Sequence, residues 1–255
     1  MSPTSASSEN PSFPRTASGV PPRAEQLIVA LDFTDARAAL TLVDRLGGAT
    51  RWFKIGLELY IAEGNSLVAE VERRGYSVFL DLKLHDIPNT VASAVRAASL
   101  LGVKLLTIHA AGGADMLRAA VEAAGASERS PALLAVTVLT SIDGPQLEAT
   151  GVSGNPSQQV ERLAKLAVGC GVQGLVCSPN EVAGLRSEFG SQPLLVVPGI
   201  RPAGWAAGDQ RRVATPAAAV AAGASYLVVG RPITQAENPR AAARAILAQM
   251  QASSL

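Results

Sequence analysis

Residues 78–90 read VFLDLKLHDIPNT. Leu80, Leu82 and Leu84 alternate with Asp81, Lys83 and His85, which is the period of an extended strand. Successive side chains of a strand point to opposite faces. Asp81 and Lys83 are therefore expected on one face, roughly 6–7 Å apart along the backbone, with the leucines on the other. Asp86 follows where the strand should end, and Pro88 closes the segment. Asn89 or Thr90 is the expected start of the next helix. Two acids and a lysine crowd the carboxyl end of a strand whose other face is apolar. That is a poor way to build a core and a sound way to build a reaction site.

Outward from this stretch, short apolar runs alternate with Ala-rich helical periods. QLIVALDF (26–33) is a strand ending in Asp32, and Thr34 or Asp35 can cap a helix to about Leu46. RWFKIGLE (51–58) carries Lys54 and leads into a helix that stops near Gly75. The strand at 77–82 precedes a helix running to Gly102. VKLLTIHA (103–110) ends near His109, and Gly112-Gly113 opens a helix to about Gly125. PALLAVTVLTS (131–141) reads as one long strand ending in Thr140 and Ser141. A Gly- and Pro-containing loop then precedes a helix from about Ser157. GLVCSP (174–179), PLLVVPGI (193–200) and SYLVVG (225–230) supply three more strands. A long polar loop runs from Gly199 to about Thr215, and the last helix starts near Asn238. Eight strand–helix repeats make an α/β fold, a single-domain (β/α)8 TIM barrel, the leading expectation. An open doubly wound sheet shares the rhythm, but no GxGxxG follows the first strand.

At 255 residues, with 48% hydrophobic and only 4% aromatic residues, the chain suits parallel strands covered by helices. Residues 1–24, rich in Ser and Pro, read as a disordered tail, leaving 25–252 for the barrel. A net charge of +1 with no basic run gives no footprint for nucleic acid. No apolar run is long enough to span a membrane. Cys170 and Cys177 form no CxxC and read as buried thiols, so neither zinc nor a disulfide is expected. Only four of the 22 basic residues are lysine: Lys54, Lys83, Lys104 and Lys165. Where arginine serves as the usual surface cation, a retained lysine suggests a need for an ammonium that can release a proton.

Barrel chemistry gathers at the carboxyl ends of the strands. Asp32, Lys54, Asp81, Lys83 and Asp86 all fall at or near such ends on the first three strands. Taken singly, Asp32 is equally a helix cap and Lys54 a strand-end cation. Together, their burial costs several kcal/mol per ion unless they compensate one another, and alternating signs supply that compensation. At the other end of the chain, Gly199 and Arg201 follow the seventh strand, and Gly230 and Arg231 follow the eighth. Those loops suit phosphate: glycine admits close approach of backbone N–H groups, and a guanidinium grips bidentately. Gln210 lies in the long loop, which can close over a ligand, and Arg211 and Arg212 read as its solvated face. His85 reads as an orienting residue, His109 equally as a packed one. Thr140 and Ser141 are neutral donors suited to the amide edge of a base.

The motif DLKLHDIPNT, with ALDF, FKIGLELY, TIHAAGG, VLTS, PGIRP, GDQRR and VVGRPIT in that order, resembles the orotidine 5′-phosphate decarboxylase family over about residues 26–248. The resemblance implies cofactor-free, metal-free conversion of orotidine 5′-monophosphate to uridine 5′-monophosphate in the cytoplasm. It implies a charged network of Lys54, Asp81, Lys83 and Asp86, with Lys83 as proton donor. Asp32 and Lys54 would meet the ribose, and Asp81, Ile87, Thr90, Thr140 and Ser141 would complete the contacts to the rest of the substrate. Arg201, Gln210, Gly230 and Arg231 would hold the phosphate. The family also implies a homodimer in which Asp86 reaches the neighbouring subunit's site. Two alternatives stand beside it. One is a magnesium-dependent sugar-phosphate decarboxylase or aldolase with the same Asp-x-Lys-x-x-Asp spacing. The other is a non-catalytic phosphate-binding barrel.

Overall fold

Eight apolar strands pair in parallel, each with its successor, and the last pairs with the first. The computed structural model describes residues 25–126, 129–202, 205 and 212–252. The stretch read as a tail, Gln210 and Arg211 lie outside the described residues. The first half runs β1 (Leu27–Ala30), α1 (Ala36–Leu46), β2 (Trp52–Gly56), α2 (Leu57–Arg73), β3 (Ser77–Leu84), α3 (Pro88–Leu100), β4 (Leu105–His109) and α4 (Gly113–Gly125). The second half runs β5 (Ala132–Val136), α5 (Gly144–Ala149), α6 (Pro156–Gly169), β6 (Gly174–Val176), α7 (Val182–Phe189), β7 (Leu194–Val197), α8 (Pro216–Ala221), β8 (Tyr226–Val229), α9 (Arg231–Thr234) and α10 (Pro239–Gln251). The sheet is therefore a closed (β/α)8 barrel and not an open one. Among the described residues, no helix is long and apolar enough to cross a membrane.

Period-two alternation sorts the strand residues into two cores. Leu27, Val29 and Leu31 of the first βα unit, with Val78, Leu80, Leu82 and Leu84, face the helical layer. Ile28, Ala30, Trp52, Phe79, Leu105, Leu134, Val196, Tyr226 and Val228 fill the barrel interior. Trp52 and Tyr226 meet there edge to face, with ring centroids 5.2 Å apart, a favoured aromatic geometry. Parallel strands buried on both faces are why these runs read as nearly continuous hydrophobic segments.

Several local readings shift. Asp35, not Thr34, caps α1, accepting from the Ala38 amide. Helix α3 starts at Pro88, before Asn89 and Thr90, because the fixed φ of proline suits the first helical position. Strand β5 stops at Val136, so Thr140 and Ser141 lie in the following loop. That loop holds the short α5, nucleated by a reciprocal cap between Asp143 and Gln146. Of the two free cysteines, Cys177 is buried and Cys170 only half-buried. Arg212 is not solvated. Its Nη1 donates to the buried Glu181 Oε1 in a short ion pair, and its Nη2 donates to the Leu139 carbonyl at 3.0 Å. Glu181 Oε2 accepts in turn from the Ser178 amide at 2.6 Å and from the Ser178 hydroxyl. The clamp ties the segment after β7 to the ends of β5 and β6. Sequence pattern alone gave no sign of it, because the partners lie 31 residues apart.

Two stability changes follow from these contacts. A Cβ at Gly174 would lie 2.5 Å from Leu134 Cδ2 and 2.8 Å from the Leu194 carbonyl oxygen. Gly174→Ala should therefore lower unfolding free energy by about 1–3 kcal/mol in chemical denaturation, since the backbone of β7 must move. Arg212→Met strands the Glu181 carboxylate and should cost about 3–5 kcal/mol. The double variant Arg212→Met/Glu181→Gln should recover most of that loss.

Candidate active site

The interior-facing register continues past the apolar core into polar residues. Above Ile28 and Ala30 comes Asp32, above Trp52 comes Lys54, above Phe79 comes Asp81, and above Leu105 comes Thr107. Three adjacent strands thus deliver one row of charge. Lys54 Nζ donates to Asp32 Oδ1 at 3.0 Å and lies 3.8 Å from Asp81 Oδ2. Lys83 Nζ donates to Asp81 Oδ1 at 2.9 Å. Exposure rises outward from the centre of the row, with side chains at 14% for Asp81, 13% for Lys54, 32% for Lys83 and 61% for Asp32. The signs alternate as Asp32, Lys54, Asp81, Lys83, so both inner charges have two opposite neighbours. Gly56 keeps room for this row: a Cβ there would sit 2.9 Å from Lys54 Nζ.

Lys83 does not continue a flat strand. Its φ is 51°, the one positive value of a non-glycine among the described residues. The β3–β4 register jumps at the same place, from Leu80 opposite Leu106 to Leu84 opposite Ile108. Asp81 and Lys83 do share a side, but through this kink and not through simple alternation. The Lys83 amide, withdrawn from the ladder, donates to Thr107 Oγ1 at 2.8 Å. Thr107 Oγ1 donates to Asp81 Oδ1 at 2.9 Å.

A cavity of about 190 Å³ opens beside the charged row. Asp81, Lys83 and Lys54 form its polar side; Val136, Val138, Val176, Pro198 and Val228 form its apolar side. Sites that enclose a whole small molecule run to roughly 300–1,000 Å³, so this space has room for a ring-sized group rather than for a whole nucleotide-sized molecule. Thr140 lines the cavity, while Ser141 is exposed beside it. Cys177 also lines it. Burial, then the Glu181 carboxylate, push its thiol up, so the reactive thiolate is disfavoured. Pro198 and Val228 connect this cavity to the ends of β7 and β8. There Arg201 is buried, with its amide on the Ala214 carbonyl and its Nη1 on the Ile200 carbonyl. Gly230 caps α9 directly ahead of Arg231, and a Cβ at Gly230 would come within 3.3 Å of Asp32 Oδ2.

Asp86, Ile87 and Thr90 are exposed. Asp86 Oδ1 accepts from the Ile87 amide at 2.6 Å, and among the described residues the carboxylate forms no ion pair with Lys83. Within one chain it is Lys54, not Lys83, that lies between two acids. His85 and His109 stack with centroids 5.1 Å apart. Burial, then the nearby charges of His85 and Lys83, push the His109 pKa down and favour its neutral form. Among the described residues no group of three or more His, Cys, Asp or Glu is placed to hold a metal ion. Sequence reasoning missed Thr107 although the signal was present: a hydroxyl in the interior register of an otherwise apolar strand.

Residues 25–246 match the model of the orotidine 5′-phosphate decarboxylase / HUMPS family. Orotidine 5′-phosphate decarboxylase of Anaeromyxobacter sp. (strain K) is 56% identical over 224 residues, covering 88% of this chain and 97% of that one. The enzyme of the same name from Halorhodospira halophila is 54% identical over 233 residues, covering 91% and 98%. The crystal structure of orotidine 5′-phosphate decarboxylase from Lactobacillus acidophilus superposes with a TM-score of 0.80 at 38% identity, covering 89% of this chain and 99% of that one. The barrel, the acid–lysine row at its mouth and relatives that align almost end to end agree: this chain belongs to the orotidine 5′-phosphate decarboxylase / HUMPS family.

Proposed function

We propose that this chain converts orotidine 5′-monophosphate to uridine 5′-monophosphate, the closing step of pyrimidine nucleotide synthesis, in the cytoplasm. The observation that carries the proposal is the row Asp32–Lys54–Asp81–Lys83, with the Lys83 ammonium facing a ring-sized cavity. Loss of CO2 from C6 leaves an electron pair in the plane of the pyrimidine, where ring resonance does not reach it. Lys83, fixed at 2.9 Å from Asp81, stabilises that charge as it develops and then protonates C6. Asp81 beside the substrate carboxylate disfavours that localised charge more than the spread charge of the transition state. Asp32 and Lys54 meet the ribose. Thr140 and Ser141 meet the pyrimidine edge from the loop after β5. Arg201, Gln210, Gly230 and Arg231 hold the phosphate, and binding energy gained there contributes at C6. Each step is carried by side chains of the chain, with no metal or organic cofactor in the scheme.

The active form in this proposal is a homodimer. Asp86, Ile87 and Thr90 are exposed after β3, and in this dimer they enter the neighbouring subunit's site. Exposed Leu57, Ile61 and Ile87 follow the mouth ends of β2 and β3 and give that face the apolar surface an interface buries. Asp86 of one subunit would then complete the pair of acids around Lys83 of the other.

The purified protein should consume orotidine 5′-monophosphate, followed by its ultraviolet absorbance, equally well with and without chelator. Lys83→Ala should lower turnover more than about a thousandfold while circular dichroism stays unchanged. Activity lost in chelator would point to the metal-dependent alternative, and tight nucleotide binding without turnover to the non-catalytic barrel. Mixing the inactive variants Lys83→Ala and Asp86→Ala should regenerate about a quarter of the wild-type activity, because random pairing leaves one intact site in each mixed dimer. Confirmed mixed dimers without activity would refute shared sites.

A further inference from the structure

Lys83 sits in a backbone conformation disfavoured for any residue with a Cβ, so its neighbours must hold it there. The β3–β4 ladder flanks the kink but is interrupted at Lys83 itself. Between the Leu80–Leu106 and Leu84–Ile108 pairs, three residues of β3 face one residue of β4, and that residue is Thr107. Its side chain takes over from the missing ladder bonds. Thr107 Oγ1 accepts the Lys83 amide at 2.8 Å and donates to Asp81 Oδ1 at 2.9 Å, the same oxygen that accepts Lys83 Nζ at 2.9 Å. A hydroxyl has one proton to give. Since Thr107 receives the amide proton, its own proton is directed to Asp81. The four groups close a ring: the Lys83 backbone, the Thr107 hydroxyl, the Asp81 carboxylate and the Lys83 ammonium. Thr107 is fully buried, which leaves it no surface for a substrate.

We infer that Thr107 is a positioning residue for the Lys83 ammonium. It fixes both ends of that side chain, the backbone through the kink and the amine through Asp81. The inference deepens the proposed decarboxylase reading and rests on it for its kinetic consequences. A buried hydroxyl that only filled a gap in the sheet would affect folding without separating catalysis from binding. A hydroxyl that aims the ammonium must affect the chemical step far more than substrate affinity, because small displacements of a reacting group cost up to about a hundredfold in rate.

The test replaces Thr107 by Val, which keeps the shape and removes both hydrogen bonds, and by Ser, which keeps both. Thr107→Val should lower kcat by about ten- to a hundredfold with KM within about twofold, and Thr107→Ser should restore kcat to within about threefold of wild type. Amide exchange at Lys83, read by NMR, should accelerate in Thr107→Val and not in Thr107→Ser. Should Thr107→Val fail to fold, Thr107→Cys, a weak hydrogen-bonding partner of similar size, takes its place. The inference is overturned if the Val or Cys variant keeps kcat within about twofold and leaves Lys83 exchange unchanged, or if Ser is as impaired as Val. A wild-type protein inactive on orotidine 5′-monophosphate would refute the decarboxylase reading, while Lys83 exchange would still decide whether Thr107 holds the kink.

Discussion

Four charges of alternating sign cross the mouth of an apolar barrel, and much of the site is arranged around keeping them there. Asp81 and Lys54 at its centre are largely withdrawn from water. An isolated ion in that position would lose several kcal/mol of hydration. Each central ion instead has an opposite charge on both sides, and Asp81 gains the Thr107 hydroxyl as well. The result is a fixed field that needs no rearrangement when charge develops beside it, which is the condition under which electrostatic stabilisation is most effective.

That field requires geometry a regular strand does not provide. Two residues apart on an ideal strand, Asp81 and Lys83 would run parallel outward. The left-handed turn at Lys83 and the skipped register against β4 bring the amine back onto the carboxylate. Strain of this kind persists only where surroundings over-determine it, and it clusters at functional sites. Here the flanking pairs Leu80–Leu106 and Leu84–Ile108 pin the bulge at both ends, with Leu80 and Leu84 packed into the helical layer.

The cavity is asymmetric for a topological reason. Strands β1 to β4 bring polar groups into the upper interior register, whereas β5 to β8 bring valines and a proline. One side of a bound ring would meet charge and the other side apolar surface. Around the rim, Arg212 joins the segment after β7 to the buried Glu181 after β6 and to the Leu139 carbonyl after β5, so one side chain links the proposed phosphate and base sides of the mouth.

The eightfold rhythm, the barrel and the placement of Asp32, Lys54, Asp81 and Lys83 at strand ends were legible in the sequence. Each rests on local periodicity, and a strand's alternation transmits directly to which side of a barrel a residue faces. Family membership was legible for a related reason, since the DLKLHDIPNT motif lies in one contiguous piece of chain. The start of α3 at Pro88 and the end of β5 at Val136 differ from the sequence reading by a few residues, and α5 stands where that reading has only a loop, because turn and cap energies there are comparable with strand propensity. What the tertiary structure alone decided is non-local: the φ of Lys83, the Thr107 bridge from β4, the pairing of Lys83 with Asp81 and not with Asp86 of its own chain, and the pairing of Arg212 with the buried Glu181. These depend on which atoms meet when strands distant in sequence close into a ring, and one-dimensional periodicity does not encode that closure.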